Sequence, residues 1–208
     1  MNIHEKNITF IIVTYKSHNV IEDCLKTIPY FSKKIIIENS NDYFLKNKLE
    51  NKFNNIEVIL SKNNGYSVSN NLGLKMTDTE FAYILNPDAR FRKNTFLNLI
   101  KDLKKLDNFA IVSPISSNIE KPNYYKNQVE YEDKNFLSVN FIDGFSMLIN
   151  MNKFKDNIFF DENFFMFLEA TDLCKRKKDE GEKLYIVKSS IIDHLHETSV
   201  DNQFKNEI

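Results

Sequence analysis

Four short apolar runs divide the first half of the chain, and each is closed by polar residues and followed by a stretch of helical period. They are residues 9–14 (TFIIVT), 34–37 (KIII), 56–60 (IEVIL) and 81–85 (FAYIL). Runs of this length are too short for helices and have the pattern of strands covered on both faces. Between the first two, Val20, Ile21, Cys24, Leu25 and Ile28 fall at helical spacing. Ser17 or Asn19 can cap that helix, and Pro29 stops it. A polar helix is expected over 42–52 and a further helix over about 67–75. Strand alternating with helix in this way predicts a parallel sheet carrying helices on its faces.

That order also predicts where a ligand binds. In parallel α/β sheets ligands sit beyond the carboxyl ends of the strands. Thr14, Glu38, Asn63 and Asp88 all stand at or just past such ends, so they should converge on one crevice. The fourth strand stops abruptly, because Pro87 has no N–H for a ladder. Asp88 is left alone behind it, and by itself such an acid is more often a turn residue or a helix cap.

The second half is mixed. A helix over 94–106 carries Phe96, Leu99, Ile100, Leu103 and Leu106 on one side, and strands are expected at 109–113, 145–149 and 184–187. Residues 118–135 are polar, rich in tyrosine and without period, which predicts a long loop. Residues 161–167 are dense in phenylalanine, and a helix runs from Glu169 to about 180, with Gly181 just past its end. No linker interrupts the chain, so one domain is expected over 1–208, its halves meeting near residue 90.

Charge and composition exclude several classes. The 28 basic and 29 acidic residues leave a net charge of −1, with no basic excess to follow a phosphate backbone, so nucleic acid is not an expected partner. Cys24 and Cys174 form no CxxC pair, which fits a reducing compartment. The amino terminus lacks the pattern of a cleaved leader, and no apolar run approaches the ~18 residues of a membrane span. The expectation is a cytoplasmic protein. Neither GxGxxG nor GxxxxGK[ST] occurs, which disfavours dinucleotide oxidoreductases and P-loop enzymes.

Three further groups carry chemistry. Glu169 and Asp172 lie three apart at a helix start, hence on one face, although acids there also favour the helix dipole. His194 and His196 flank Leu195 and point the same way in an extended segment. Alone they read as a surface pair. With Asp88, one imidazole makes a partial ligand set for a divalent ion that also binds phosphate oxygens. In NNGYSVSNNLGL (63–74), Gly65 permits a turn, Gly73 permits close packing, and Asn70 or Asn71 can reach a ligand from the helix.

Taken in order, FIIVTYKS, IIIENS, NNGYSVSNNLGL, ILNPDAR, FIDGFSMLI, FDENFFMFLEATDLCKR and HLHETS resemble the glycosyltransferase family 2 pattern, in its rhamnosyltransferase-like bacterial branch, over residues 9–199. The resemblance implies a GT-A fold: a Rossmann-like, mostly parallel central sheet with helices on both faces and a smaller, mixed acceptor-side half. It also implies a nucleotide-sugar donor, a divalent metal (Mn2+ or Mg2+), a saccharide or lipid-linked acceptor, inversion at the anomeric carbon and a place in surface polysaccharide synthesis. Position by position, Thr14 and Tyr15 would meet the nucleotide base. Glu38 would replace the family's Asp at the base or ribose, and Asn63, Gly65 and Asn71 would line the donor pocket. Asn86, Pro87 and Asp88 stand for the DxD motif, with Asp88 and His194 on the metal and Ser199 trailing that histidine. Asp143 and Gly144 resemble the start of the acceptor-side strand. Ala170 occupies the position of the Asp that often serves as base, so Glu169 is the first candidate for that role and Asp172 the second, with Asp172 otherwise positioning the acceptor or Arg176. Family members often continue into helices that meet the membrane, so peripheral membrane association stays open. Two other readings remain: a degenerate nucleotide-sugar binding module, and a sugar nucleotidyltransferase. The latter would need a basic Gly-rich loop where this chain offers only Lys16.

Overall fold

A computed structural model describes residues 3–155 and 158–195. The first four strands are β1 (Ile8–Thr14), β2 (Lys33–Glu38), β3 (Ile56–Leu60) and β4 (Phe81–Leu85). They are separated by helices α1 (Ile21–Thr27), α2 (Tyr43–Lys52) and α3 (Tyr66–Lys75). Then come β5 (Ala89–Phe91), α4 (Thr95–Leu103), β6 (Ile111–Ser116), β7 (Val129–Glu132), β8 (Phe136–Val139), β9 (Ser146–Asn150), α5 (Glu169–Asp179) and β10 (Leu184–His194). One sheet runs β3-β2-β1-β4-β9-β6-β10-β8-β7, and β5 pairs with β10 off that path. The first four strands are mutually parallel, and β6 and β10 run parallel to each other. β9 lies antiparallel between β4 and β6 and joins the two halves.

The runs in β1, β2 and β4 are buried on both faces by alternation, whereas in the edge strand β3 only Val58 is buried. Phe10, Ile12, Ile36, Phe81 and Tyr83 pack with residues of α1, α2 and α4. Their neighbours Ile11, Ala82 and Ile84 point the other way and pack with residues of α3 and α5. Helix α3 lies directly on β1: a Cβ at Gly73 would stand 2.5 Å from Ile11 Cγ2, so only glycine lets the two approach so closely.

Several expectations are corrected. The helix α1 has Val20 at its N-cap without a side-chain cap; the Val20 and Ile21 N–H groups donate instead to the Ser17 carbonyl at 3.2 and 3.1 Å. The loop expected over 118–135 is pinned and ends in β7. Asn123, 1% exposed, donates to Ser113 Oγ and the Pro114 carbonyl at 3.0 and 2.9 Å, and its own carbonyl accepts from Asp143 N at 2.9 Å. β5 and β8 were not anticipated, and β10 runs seven residues beyond its expected end at Val187, through a register shift between Val187 and Ile191. Among the described residues no helix is long and apolar enough to cross a membrane.

Candidate active site at the carboxyl ends of the strands

The ends of the four parallel strands meet at one hollow. Tyr15 follows β1, Asn39 follows β2, Asn63 and Gly65 follow β3, and Asn86 and Pro87 follow β4; all line it. Phe165 and Met166, from the segment before α5, close its outer side and leave about 100 Å³. That segment is docked by backbone: Tyr66 N donates to the Phe165 carbonyl at 2.6 Å. Gly65 sits at φ 95°, and a Cβ there would lie 2.6 Å from the same oxygen. A glycine is therefore required both by conformation and by space.

Three residues expected in the hollow stand behind its wall. Thr14 is fully buried, with its hydroxyl directed at the Ile37 carbonyl at 3.5 Å. Glu38 is fully buried too, and its oxygens accept from Asp42 N at 2.7 Å, from Ser40 N at 3.1 Å and from the Ser40 hydroxyl. It shapes the turn after β2, and Asn39 is the residue that turn presents. Asn71 is bonded elsewhere: Nδ2 donates to the Phe160 carbonyl and Glu162 Oε1, both at 2.9 Å, and Oδ1 accepts from Phe160 N at 3.0 Å. Its place is corrected from pocket lining to a clamp that ties the phenylalanine-rich segment to α3.

Behind Pro87, the Asp88 side chain is 1% exposed, and its Oδ1 has no hydrogen-bond partner among the described residues. His194 Nε2 lies 3.3 Å from that oxygen. The extension of β10 makes this meeting possible, because His194 pairs with Ala89 of β5 and Leu195 N donates to the Asp88 carbonyl at 3.2 Å. The imidazole is stacked on Phe145, with centroids 4.0 Å apart. An orphaned carboxylate oxygen beside a ring nitrogen fits a divalent cation, since both are ligand types such ions take. The described residues hold no cluster of three or more His, Cys, Asp or Glu around that point, so Asp88 and His194 are a partial ligand set. His196 and Ser199 lie outside the described residues.

In the second half of the chain, Glu169 opens α5 at 7% exposure with Oε2 unpartnered. Burial holds its carboxyl above the ordinary value of 4.5, and the charge of Asp143 adds to the shift. Gly144 leaves room beside it: a Cβ there would stand 3.7 Å from Glu169 Oε1 and 3.3 Å from the Ala170 Cβ. Asp172 instead pairs with Arg176 Nε at 2.7 Å, and Arg176 donates to the Phe159 carbonyl at 2.5 Å. That pair braces the segment leading to Phe165. Tyr66, which the sequence did not single out, reaches from α3 to both Asn86 and Gly144.

The model of the family described as "Glycosyl transferase family 2" matches residues 9–172. The low-salt glycan biosynthesis hexosyltransferase Agl10 of Haloferax volcanii is 25% identical over 215 residues, covering 94% of this chain and 68% of that protein. Among solved structures, GalNAc-T7 with UDP, GalNAc and Mn2+ superposes with a TM-score of 0.70 at 15% identity, covering 90% of this chain and 43% of that one. S. aureus TarS 1–349 with UDP-GlcNAc does so with a TM-score of 0.70 at 16% identity, covering 89% and 57%. The chain thus spans well under two thirds of those solved chains, and at such identity the likeness establishes the fold, which is GT-A.

Proposed function

Because the chain belongs to glycosyl transferase family 2, we propose that it moves a sugar, with inversion, from a nucleotide-diphosphate donor held in the hollow to an acceptor hydroxyl arriving at Glu169. The observation that carries this reading is a pair of buried carboxylates on either side of Tyr66, each with one oxygen that has no hydrogen-bond partner among the described residues. Asp88 stands at the end of the donor-side strand, and Glu169 lies beyond Tyr66 on the acceptor side. The Glu169 carboxylate would take the acceptor proton as the acceptor oxygen attacks the anomeric carbon. The bond from that carbon to the diphosphate oxygen breaks, and its electron pair leaves with the nucleotide. Burial suits the role, since a carboxylate whose pKa is raised toward working pH is the better general base. A single base and a single displacement give inversion.

Asp88 and His194 would hold a divalent metal, Mn2+ or Mg2+, which when bound neutralises charge on the diphosphate. Tyr15, Asn39 and Asn63 would meet the nucleotide. A hollow of about 100 Å³ is smaller than the ~300 Å³ at which small-molecule sites begin, so Phe165 and Met166 move outward on donor entry. The same segment exposes Phe167 and Leu168 at 74% and 65%. An apolar edge at the mouth of the site favours a lipid-linked saccharide acceptor presented at a membrane surface, as in surface polysaccharide synthesis on the cytoplasmic side. One relative named for glycan biosynthesis and neighbours solved with UDP-sugar or Mn2+ support the reading.

The test is release of nucleoside diphosphate from a panel of UDP-, GDP- and dTDP-sugars, with Mn2+ or Mg2+ and with or without saccharide and lipid-linked acceptors. Metal-dependent, acceptor-stimulated release from one donor is expected. Saturable donor binding without turnover on any acceptor would instead mark a degenerate binding module.

A further inference from the structure

Tyr66 is the first residue of α3, and its ring spans from the donor side of the site to the acceptor side. Its hydroxyl oxygen lies 2.9 Å from Asn86 Oδ1 and 2.9 Å from the Gly144 carbonyl oxygen. Asn86 begins the turn that bears Asp88. Gly144 leaves the gap beside Glu169. The ring is held edge-on against Phe160, centroids 6.5 Å apart, and the Tyr66 N–H fixes Phe165.

A phenol has one proton, so it cannot donate along both contacts. If it donates to Asn86 Oδ1, its lone pairs face the Gly144 carbonyl at hydrogen-bond distance with nothing between. Both contacts are satisfied only when the Asn86 amide is turned so that Nδ2 donates to the phenol and the phenol donates to Gly144. The two ends of an Asn amide are exchanged without altering the shape of the side chain, so the hydrogen bonds decide its orientation. The result is a directed chain, Asn86 Nδ2–H to Tyr66 Oη–H to Gly144 O, which turns Oδ1 of Asn86 to the other branch of the amide. The enclosure around the ring, with Glu169, Asp143 and Asp88 nearby, raises the phenol's pKa, so the proton this chain needs stays in place.

We propose that the Tyr66 hydroxyl is a positioning residue for sugar transfer, a strut that sets the spacing between the donor turn at Asn86 and the acceptor-side backbone at Gly144 beside Glu169. The inference rests on the transferase reading above and adds a residue to it. A strut between two half-sites matters when both substrates must be aligned, and less when only one is bound. Loss of the hydroxyl should therefore act on transfer and not on donor binding.

Tyr66→Phe keeps the ring and its packing while removing the hydroxyl. In this variant kcat for transfer should fall roughly tenfold, as expected for one aligned hydrogen bond. KM for the donor, and donor affinity by titration calorimetry, should stay within about twofold of wild type. A melting temperature within a few degrees of wild type would show that the fold is intact. Wild-type transfer by the variant would overturn the inference and leave the transferase reading standing, as would a loss seen equally in donor affinity. No transfer by the wild-type protein from any donor would overturn both.

Discussion

Glutamine at position 169 should nearly abolish turnover and yet stabilise the fold. The native carboxylate is 7% exposed, one of its oxygens has no hydrogen-bond partner, and Asp143 places a second negative charge nearby. Burial penalises the ionised form, so the folded chain holds this proton more tightly than the unfolded chain does. The stability this group contributes is then fully present below the ordinary value near 4.5 and is lost as pH rises through the raised folded value. Glutamine carries no charge at any pH and escapes that loss. An unsatisfied buried polar group costs ~1–3 kcal/mol, and the amide retains part of that cost, so a gain of about 1 kcal/mol is expected at pH 8. For a chain of this size, that corresponds to roughly 2–4 °C in melting temperature. The gain should vanish as pH falls below the ordinary carboxylate range. In kinetics, loss of a general base lowers the rate by ~10²–10⁴. Melting curves from pH 4 to pH 8 and turnover at pH 8, for wild type and Glu169→Gln, read both effects. A variant less stable than wild type at pH 8, or one with kcat within tenfold of wild type, would refute the reasoning.

Two further substitutions separate architecture from chemistry. In Gly65→Ala the new methyl meets the Phe165 carbonyl at 2.6 Å on a backbone at φ 95°, which should cost about 1–3 kcal/mol and show as a melting temperature lower by several degrees. Asn71→Ala removes three hydrogen bonds to residues 160 and 162, so thermal melting should report a loss of roughly 1–3 kcal/mol, while donor affinity by calorimetry stays within a few-fold of wild type.

The first half of the fold is readable in the sequence because its strands are continuous apolar runs and its helices keep a regular period. The convergence of strand ends follows from that order alone, but of Thr14, Glu38, Asn63 and Asp88 only Asn63 lines the hollow, where neighbours of the other three, Tyr15, Asn39 and Asn86, stand instead. What escaped depends on contacts distant in sequence. β10 passes through Ser189, Ser190 and Asp193, which read as a strand only once β6 on one side and β5 on the other supply partners. Ala89–Phe91 is too short to announce itself. Glu38 and Asn71 carry side chains that could have faced a ligand, but a turn four residues on and a segment ninety residues on satisfy them first. Tyr66 offered no signal of its own, since a tyrosine at a helix start is unremarkable until Asn86 and Gly144 arrive from elsewhere.

The central claim, that the hollow beside Asp88 is a metal-dependent donor site, is tested most directly by titration calorimetry. A nucleoside diphosphate is titrated into wild-type protein with Mn2+, into the same protein with chelator, and into Asp88→Ala with Mn2+. The account predicts one-to-one binding in the first case and a loss of tenfold or more in affinity in the other two. Equal binding in all three would contradict it and remove Asp88 and the metal from donor recognition.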